Sequence, residues 1–326
     1  MGFTLDPEVQ TGLMAMMGGA PPPPPAKVGD VESRRQMIAG MFAALAPAMP
    51  ADITTKDYSV PVSDGQSIRC RLYKKQNAPE GGSGVLYLHG GGYISGDIDM
   101  YNGVVGKYVE ETGVPFFSAE YRLAPEVKYP GNVDDSHKAL LFMVEHAAEF
   151  GIDPKKIAIM GDSAGGGMTA ALLHYNLEKN GPAIAKQILI YPMLDDRNVD
   201  PDPAIDDIAV WKADDNRTGW DGILGSSRGA ADLKPSAAPA RMTIEQAAKL
   251  PATYIDCGDM DIFRDEDIDY AKKLVQAGVS CELHIYPGCT HGFELTAPQA
   301  NVSQRAFQNR FQAIRTIVPV GGKEKL

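Results

Sequence analysis

A chain of 326 residues with 44% apolar side chains can bury one large α/β core carrying a cap, or two smaller domains. Its net charge of −11 argues against nucleic acid and anionic membrane as partners, and no apolar run approaches the roughly 18 residues of a membrane span. The four cysteines (Cys70, Cys257, Cys281 and Cys289) lack metal-ligand spacing and the N-terminus lacks a secretion signal, so a cytoplasmic protein with reduced core thiols and no membrane insertion is expected.

Residues 1–50 differ in pattern from the rest of the chain. Leu13, Met14, Met16 and Met17, then Met37, Ile38, Met41, Phe42 and Leu45, predict two amphipathic helices, separated by a stiff spacer from Pro21 to Pro25. The methionines fit ordinary packing, or an adaptable apolar pocket wall. Residues 57–62 and 67–73 read as a hairpin around Ser63-Asp64-Gly65-Gln66. Residues 84–88 form an apolar run suited to a strand buried on both faces. A helix over 99–112, a strand over 114–119 and a helix over 133–150 come next. Residues 156–160 then predict a strand and 168–179 a helix, followed by a strand over 185–191.

The alternation stops at residues 192–248, which are rich in Asp, Pro and Gly and contain Trp211 and Trp220. It resumes with strands over 252–257 and 280–286 and helices over 265–277 and 298–317. This order predicts an α/β fold with a mostly parallel, doubly wound sheet. Residues 51–194 and 249–326 would form the core, with 195–248 inserted as a cap that the helices of 1–50 complete. The nine aspartates between Asp195 and Asp221 read as a solvated face.

Chemistry concentrates at strand ends. Gly161-Asp162-Ser163-Ala164-Gly165 lies between a strand and a helix, the setting in which a tight turn exposes a nucleophilic serine. Alone this string is a weak signal. His89-Gly90-Gly91-Gly92-Tyr93 follows the strand over 84–88, and its glycines leave backbone N–H groups bare for a developing oxyanion. Gly91 and Gly92 would donate from this loop and Ala164 from the serine turn. Of six histidines, only His291 sits late in the chain on a glycine-flanked loop beyond a strand, where it can act as the base that serine needs. Asp259 and Asp261, beyond the preceding strand, are both placed to orient that imidazole. The order Ser, Asp, His differs from those of chymotrypsin and subtilisin.

His89–Gly92, Gly161–Gly165, Tyr121-Arg122-Leu123-Ala124-Pro125-Glu126 and the late Asp and His together resemble the hormone-sensitive-lipase family of α/β-hydrolases. The resemblance spans roughly residues 84–295. It aligns Asp261-Ile262-Phe263-Arg264-Asp265-Glu266 with a family segment D-P-L-R-D-E, selecting Asp261 as the acid, while Ile262 and Phe263 depart from the pattern. It implies the α/β-hydrolase fold and hydrolysis of small carboxylic esters, of short to medium acyl chain, by Ser163, His291 and Asp261 without cofactor or metal. A lactone, carbamate or acetyl group would use the same machinery. Plant hormone receptors of this fold have lost the histidine that is present here as His291. Tyr93, Trp211, Trp220 and Leu224 are the expected substrate-binding walls. The strand over 280–286 is a possible sheet edge for a homodimer.

Overall fold

A computed structural model describes residues 2–18, 26–78 and 80–321. The spacer from Pro21 to Pro25 lies outside the described residues. Eight strands form one sheet in the order β1-β2-β4-β3-β5-β6-β7-β8. They are β1 (Ile53–Pro61), β2 (Ser67–Lys75), β3 (Gly82–Leu88), β4 (Phe116–Ala119), β5 (Ile152–Asp162), β6 (Lys186–Ile190), β7 (Ala252–Gly258) and β8 (Cys281–Tyr286). The β1–β2 hairpin pairs antiparallel and β2 joins β4 antiparallel, while every later pairing is parallel. The central strands are apolar because helices cover both faces: Val85–Leu88 and all of β6 are buried.

The described helices are α1 (Pro7–Met17), α2 (Val31–Leu45), α3 (Asn102–Thr112), α4 (Gly131–Glu145), α5 (Ala147–Phe150), α6 (Ala164–Glu178), α7 (Ala213–Leu224), α8 (Ile244–Ala247), α9 (Arg264–Gln276), α10 (Phe293–Thr296) and α11 (Asn301–Arg315). The single helix expected over 133–150 is divided at His146, whose Nδ1 lies 2.9 Å from the Phe142 carbonyl. Among the described residues no helix is long and apolar enough to cross a membrane.

The N-terminal helices reach two different places. Helix α1 packs beside α10 and the loop after β8: Asp6 N–H donates to the Gly288 carbonyl at 3.0 Å, and Val9 is buried with Tyr286, Cys289 and Phe293. Helix α2 meets α7 of the 192–248 segment, where the fully buried Arg34 pairs with Asp215 at 2.8 Å. Met14, Met16 and Met37 point to solvent, so these three methionines do not wall a pocket. The aspartates of 195–221 correct a second expectation. Asp196 is fully buried, takes a two-pronged ion pair from Arg241 at 2.8 and 2.9 Å, and accepts the Gly229 N–H. Asp215 holds Arg34 and Asp195 holds Arg197, so part of this cluster ties the segment together; Asp200 is the solvated kind.

Candidate active site

The serine turn is shaped by what its glycines cannot be. A Cβ on Gly161 would stand 2.3 Å from the Gly165 carbonyl oxygen, and one on Gly165 would stand 2.0 Å from that of Leu88. Ser163 itself adopts φ 57° and ψ −121°, a conformation that costs a non-glycine residue about 1–3 kcal/mol. It is held by Ser163 N–H donating to Ile190 at 2.8 Å and by Met193 and Gly167 donating to the Ser163 carbonyl.

His291 Nε2 lies 3.0 Å from Ser163 Oγ, and His291 Nδ1 lies 2.6 Å from Asp261 Oδ2. Asp261 is buried, and its Oδ1 accepts the Phe263 N–H at 3.1 Å. The alternative acid, Asp259, turns elsewhere and accepts the Gly288 N–H at 2.7 Å, fixing the turn that carries the histidine loop. The imidazole is walled by two aromatic edges, Tyr191 at 4.6 Å and Phe263 at 5.3 Å between ring centroids. Phe263 is thus where the departure from the family segment acts: it is a wall of the base.

The glycine loop lies against the serine. A Cβ on Gly90 would come within 3.4 Å of Ser163 Cβ. Among the described residues no backbone carbonyl takes the N–H of Gly91 or Gly92. His89 is a brace: it is buried, stacks on Tyr121 at 4.4 Å, contacts the Gly90 carbonyl through Nδ1 at 2.8 Å, and burial pushes its pKa down to about 4. A neutral imidazole there adds no charge to the loop.

Of the four expected wall residues, Trp220 is fully buried and Tyr93 is 2% exposed; they pack on each other at 5.2 Å, and Tyr93 hydroxyl donates to the Met193 carbonyl. Tyr93 and Trp220 thus pack together in the interior beside the glycine loop. Trp211 lies against Gly92, so close that a Cβ there would meet the indole at 2.5 Å. Leu224 belongs to the same buried cluster. A groove of about 770 Å³ lies elsewhere, beside Ala185, Ala252 and Val318 at the opening ends of β6 and β7. Ser163 and His291 stand at the other ends of their strands, where ligands bind in open α/β sheets. Among the described residues no group of three or more His, Cys, Asp or Glu side chains is placed to hold a metal ion.

Known proteins match this architecture. A family model described as alpha/beta hydrolase fold matches residues 85–295. Esterase LipI of Mycobacterium tuberculosis is 32% identical over 258 residues, covering 77% of this chain and 78% of the relative. The chain belongs to the hormone-sensitive-lipase-like esterases of the α/β-hydrolase fold. An ethyl acetate hydrolase of Pseudomonas putida is 30% identical, with 80% of this chain and 82% of the relative covered. The solved structure of a bacterial heroin esterase superposes with a TM-score of 0.85 at 34% identity, covering 96% of this chain and 97% of that one.

In this esterase the family string Gly161–Gly165 contains a second acid with a different job. Asp162 points into the core, where its Oδ2 accepts the Tyr87 hydroxyl at 2.8 Å, and burial raises its pKa to about 7 against the pull of Arg310. A carboxyl whose folded pKa is raised contributes stability that is complete below its unfolded value, 3.8, and is lost as pH rises through about 7. Asp162→Asn is isosteric and cannot ionise. Its stability relative to wild type should therefore improve between pH 5 and pH 9, by about 3 kcal/mol, nearly all of it below pH 7. Urea denaturation of both proteins across that range checks this; parallel curves would contradict it.

Four residues packed near the histidine carried no signal in the sequence. Tyr191, Glu294, Arg310 and Asp256 form a buried network under the histidine: Tyr191 hydroxyl and Arg310 Nη1 both donate to Glu294 Oε1 at 2.6 Å, and Arg310 grips Asp256 with two bonds of 2.7 and 2.9 Å. They are spread over 120 positions of sequence and share no motif, although Glu294 stands three residues beyond His291.

Proposed function

We propose that the protein is a serine carboxylesterase acting on small esters of short to medium acyl chain. The hydrogen-bonded series Asp261–His291–Ser163, with the glycine loop against Ser163 at Gly90, carries this reading. Ser163 Oγ attacks the ester carbonyl while His291 Nε2 takes its proton, and Asp261 holds the ring in the tautomer with Nδ1 protonated. The tetrahedral oxyanion is stabilised by the N–H groups of Gly91, Gly92 and Ala164, each worth about 2.7–4 kcal/mol. His291 then protonates the departing alcohol oxygen, leaving the acyl group on Ser163. Water attacks this acyl-enzyme with His291 as base, the carboxylic acid leaves, and Ser163 regains its proton.

The 195–248 segment and the helices of residues 1–50 act as a cap over residues 51–194 and 249–326, with Trp211 and Leu224 limiting the space above the glycine loop. The contact of Trp211 with Gly92 supports a small pocket, as does the relative named for ethyl acetate. A panel of p-nitrophenyl esters from acetate to laurate tests this reading. The highest kcat/KM should fall at short to medium chains; a maximum at laurate would reject the chain-length assignment. A fluorophosphonate should label the protein once, at Ser163, and modification of any other residue with loss of turnover would reject the nucleophile.

A further inference from the structure

We propose that Arg35 is a positioning residue for the oxyanion hole, holding the glycine loop in its working shape from outside the core. The inference rests on the serine-esterase reading above.

The loop needs holding. Gly91, Gly92 and Tyr93 have φ values of 119°, 62° and 64°, three left-handed residues in succession, the last with a side chain. Such backbone persists only where its surroundings over-determine it. Inside the loop, Ile94 and Ser95 donate to the Gly91 carbonyl at 3.1 and 2.9 Å, closing the turn upon itself. Outside, Ala124 N–H donates to the Tyr93 carbonyl at 2.9 Å. The next carbonyl, that of Ile94, is taken by Arg35 Nε at 2.7 Å.

The same guanidinium closes a ring. Its Nη2 donates to the Ala124 carbonyl at 3.2 Å, and Nη1 and Nη2 bind the two oxygens of Glu126 at 2.9 and 2.7 Å. Ile94 and Ala124 are therefore joined through one rigid cation, and Tyr93 is tied to the same set by the Ala124 N–H. The family string Tyr121–Glu126 is explained by this arrangement: Tyr121 hydroxyl bonds the His89 carbonyl at 2.7 Å at one end of the loop, while Ala124 and Glu126 meet Arg35 at the other. The residue that completes the set is 86 positions earlier than Tyr121, on α2. Arg34 anchors that helix, donating to Asp215 and to the Lys27 and Asp30 carbonyls while fully buried. Helix α7, which Asp215 belongs to, rests on the loop through Gly219, where a Cβ would stand 2.5 Å from the Gly92 carbonyl oxygen. Arg35 thus acts from a fixed base. A planar fork serves Ile94, Ala124 and Glu126 at once; the single ammonium of lysine cannot match that geometry.

The alternative is a half-exposed ion pair with Glu126 that does nothing for the loop. Steady-state kinetics with p-nitrophenyl butyrate, combined with inhibition by an aryl trifluoromethyl ketone, separates the two. The ketone adds to Ser163 Oγ and places its hemiketal oxyanion in the hole. Arg35→Ala should lower kcat about 10- to 100-fold, the scale of a misplacement of about 1 Å, and weaken the ketone by the same factor with KM changed less than about threefold. Arg35→Lys should recover part of both, and it serves alone if the alanine variant does not fold. Glu126→Gln, which leaves the donors to Ile94 and Ala124 in place, should change kcat by less than about threefold. Unchanged kcat in Arg35→Ala, a lower kcat without weaker inhibition, or an equal loss in Glu126→Gln would overturn the proposal. A wild-type enzyme indifferent to the ketone would instead remove the serine-esterase reading, and the proposal with it.

Discussion

Ser163→Ala is expected to lower ester hydrolysis by about four to six orders of magnitude while leaving the fold intact. The size follows from the chemistry: without Oγ no acyl-enzyme forms, and the remaining N–H donors act only on attack by water. The intact fold follows from the contacts. Among the described residues the hydroxyl has one hydrogen-bond partner, His291 Nε2 at 3.0 Å, and the strained backbone is held by backbone bonds to Ile190, Met193 and Gly167. Thermal unfolding should therefore match wild type within a degree or two, a range set by surface-like substitutions of about 0.5 kcal/mol. Asp261→Asn should cost about ten-thousand-fold, because an amide N–H facing Nδ1 selects the tautomer that leaves Nε2 unable to accept the serine proton. Retained turnover in either variant, measured with p-nitrophenyl butyrate at enzyme concentrations that exclude a trace contaminant, would defeat the assignment.

How much of this could be read beforehand depends on whether the signal was local. Ser163 and His291 stand beside glycines at strand ends, so local pattern points to them, whereas position leaves Asp259 and Asp261 equal and only the family resemblance separates the two. The start of α6 was misplaced for an equally local reason. Gly165, Gly166 and Gly167 suggest a loop, but they are the first turn of a helix, and each lacks a Cβ because another chain segment passes too close. On Gly167 it would stand 2.0 Å from the Met193 carbonyl oxygen. Glycine content reports conformational freedom and close approach alike, and only the fold separates the two. Arg34 and Arg35 were invisible for the opposite reason. Two adjacent arginines on a predicted amphipathic helix belong to no motif, yet one is fully buried and the other reaches the Ile94 carbonyl. Their meaning lies in carbonyls of segments up to 89 residues away, which no periodicity encodes.

The cysteines show the same division. All four are free thiols; Cys70, Cys257 and Cys289 are buried, whereas Cys281, on the edge strand, is partly exposed. Cys289, two residues before His291, is fully buried, and burial pushes its pKa up to about 12, so proximity in sequence to the base confers no reactivity.

Arg310→Met should destabilise the protein by about 3–5 kcal/mol. The reason is what remains, not what is lost. Arg310 is fully buried and is the cation shared by Asp256 and Glu294, themselves buried. Burial already raises the Asp256 pKa despite the arginine, whereas Arg310 and the Tyr191 hydroxyl hold Glu294 below the usual carboxylate range against burial. Glu294 therefore contributes stability above its unfolded pKa that is lost as pH falls. Without the guanidinium both carboxyls must bind protons to stay buried, which is easy in acid and costly in base. The deficit of Arg310→Met should accordingly be smallest near pH 5 and grow towards pH 8, as read from urea midpoints. Adding Glu294→Gln to Arg310→Met removes one uncompensated charge and should restore part of the loss at pH 8, although the same change alone is destabilising. A deficit independent of pH, or a double variant no better than the single, would mean that Arg310 acts by filling space. Activity should fall further than stability accounts for, because Glu294 fixes the Tyr191 hydroxyl and the Tyr191 ring, 4.6 Å from His291, is one wall of the base.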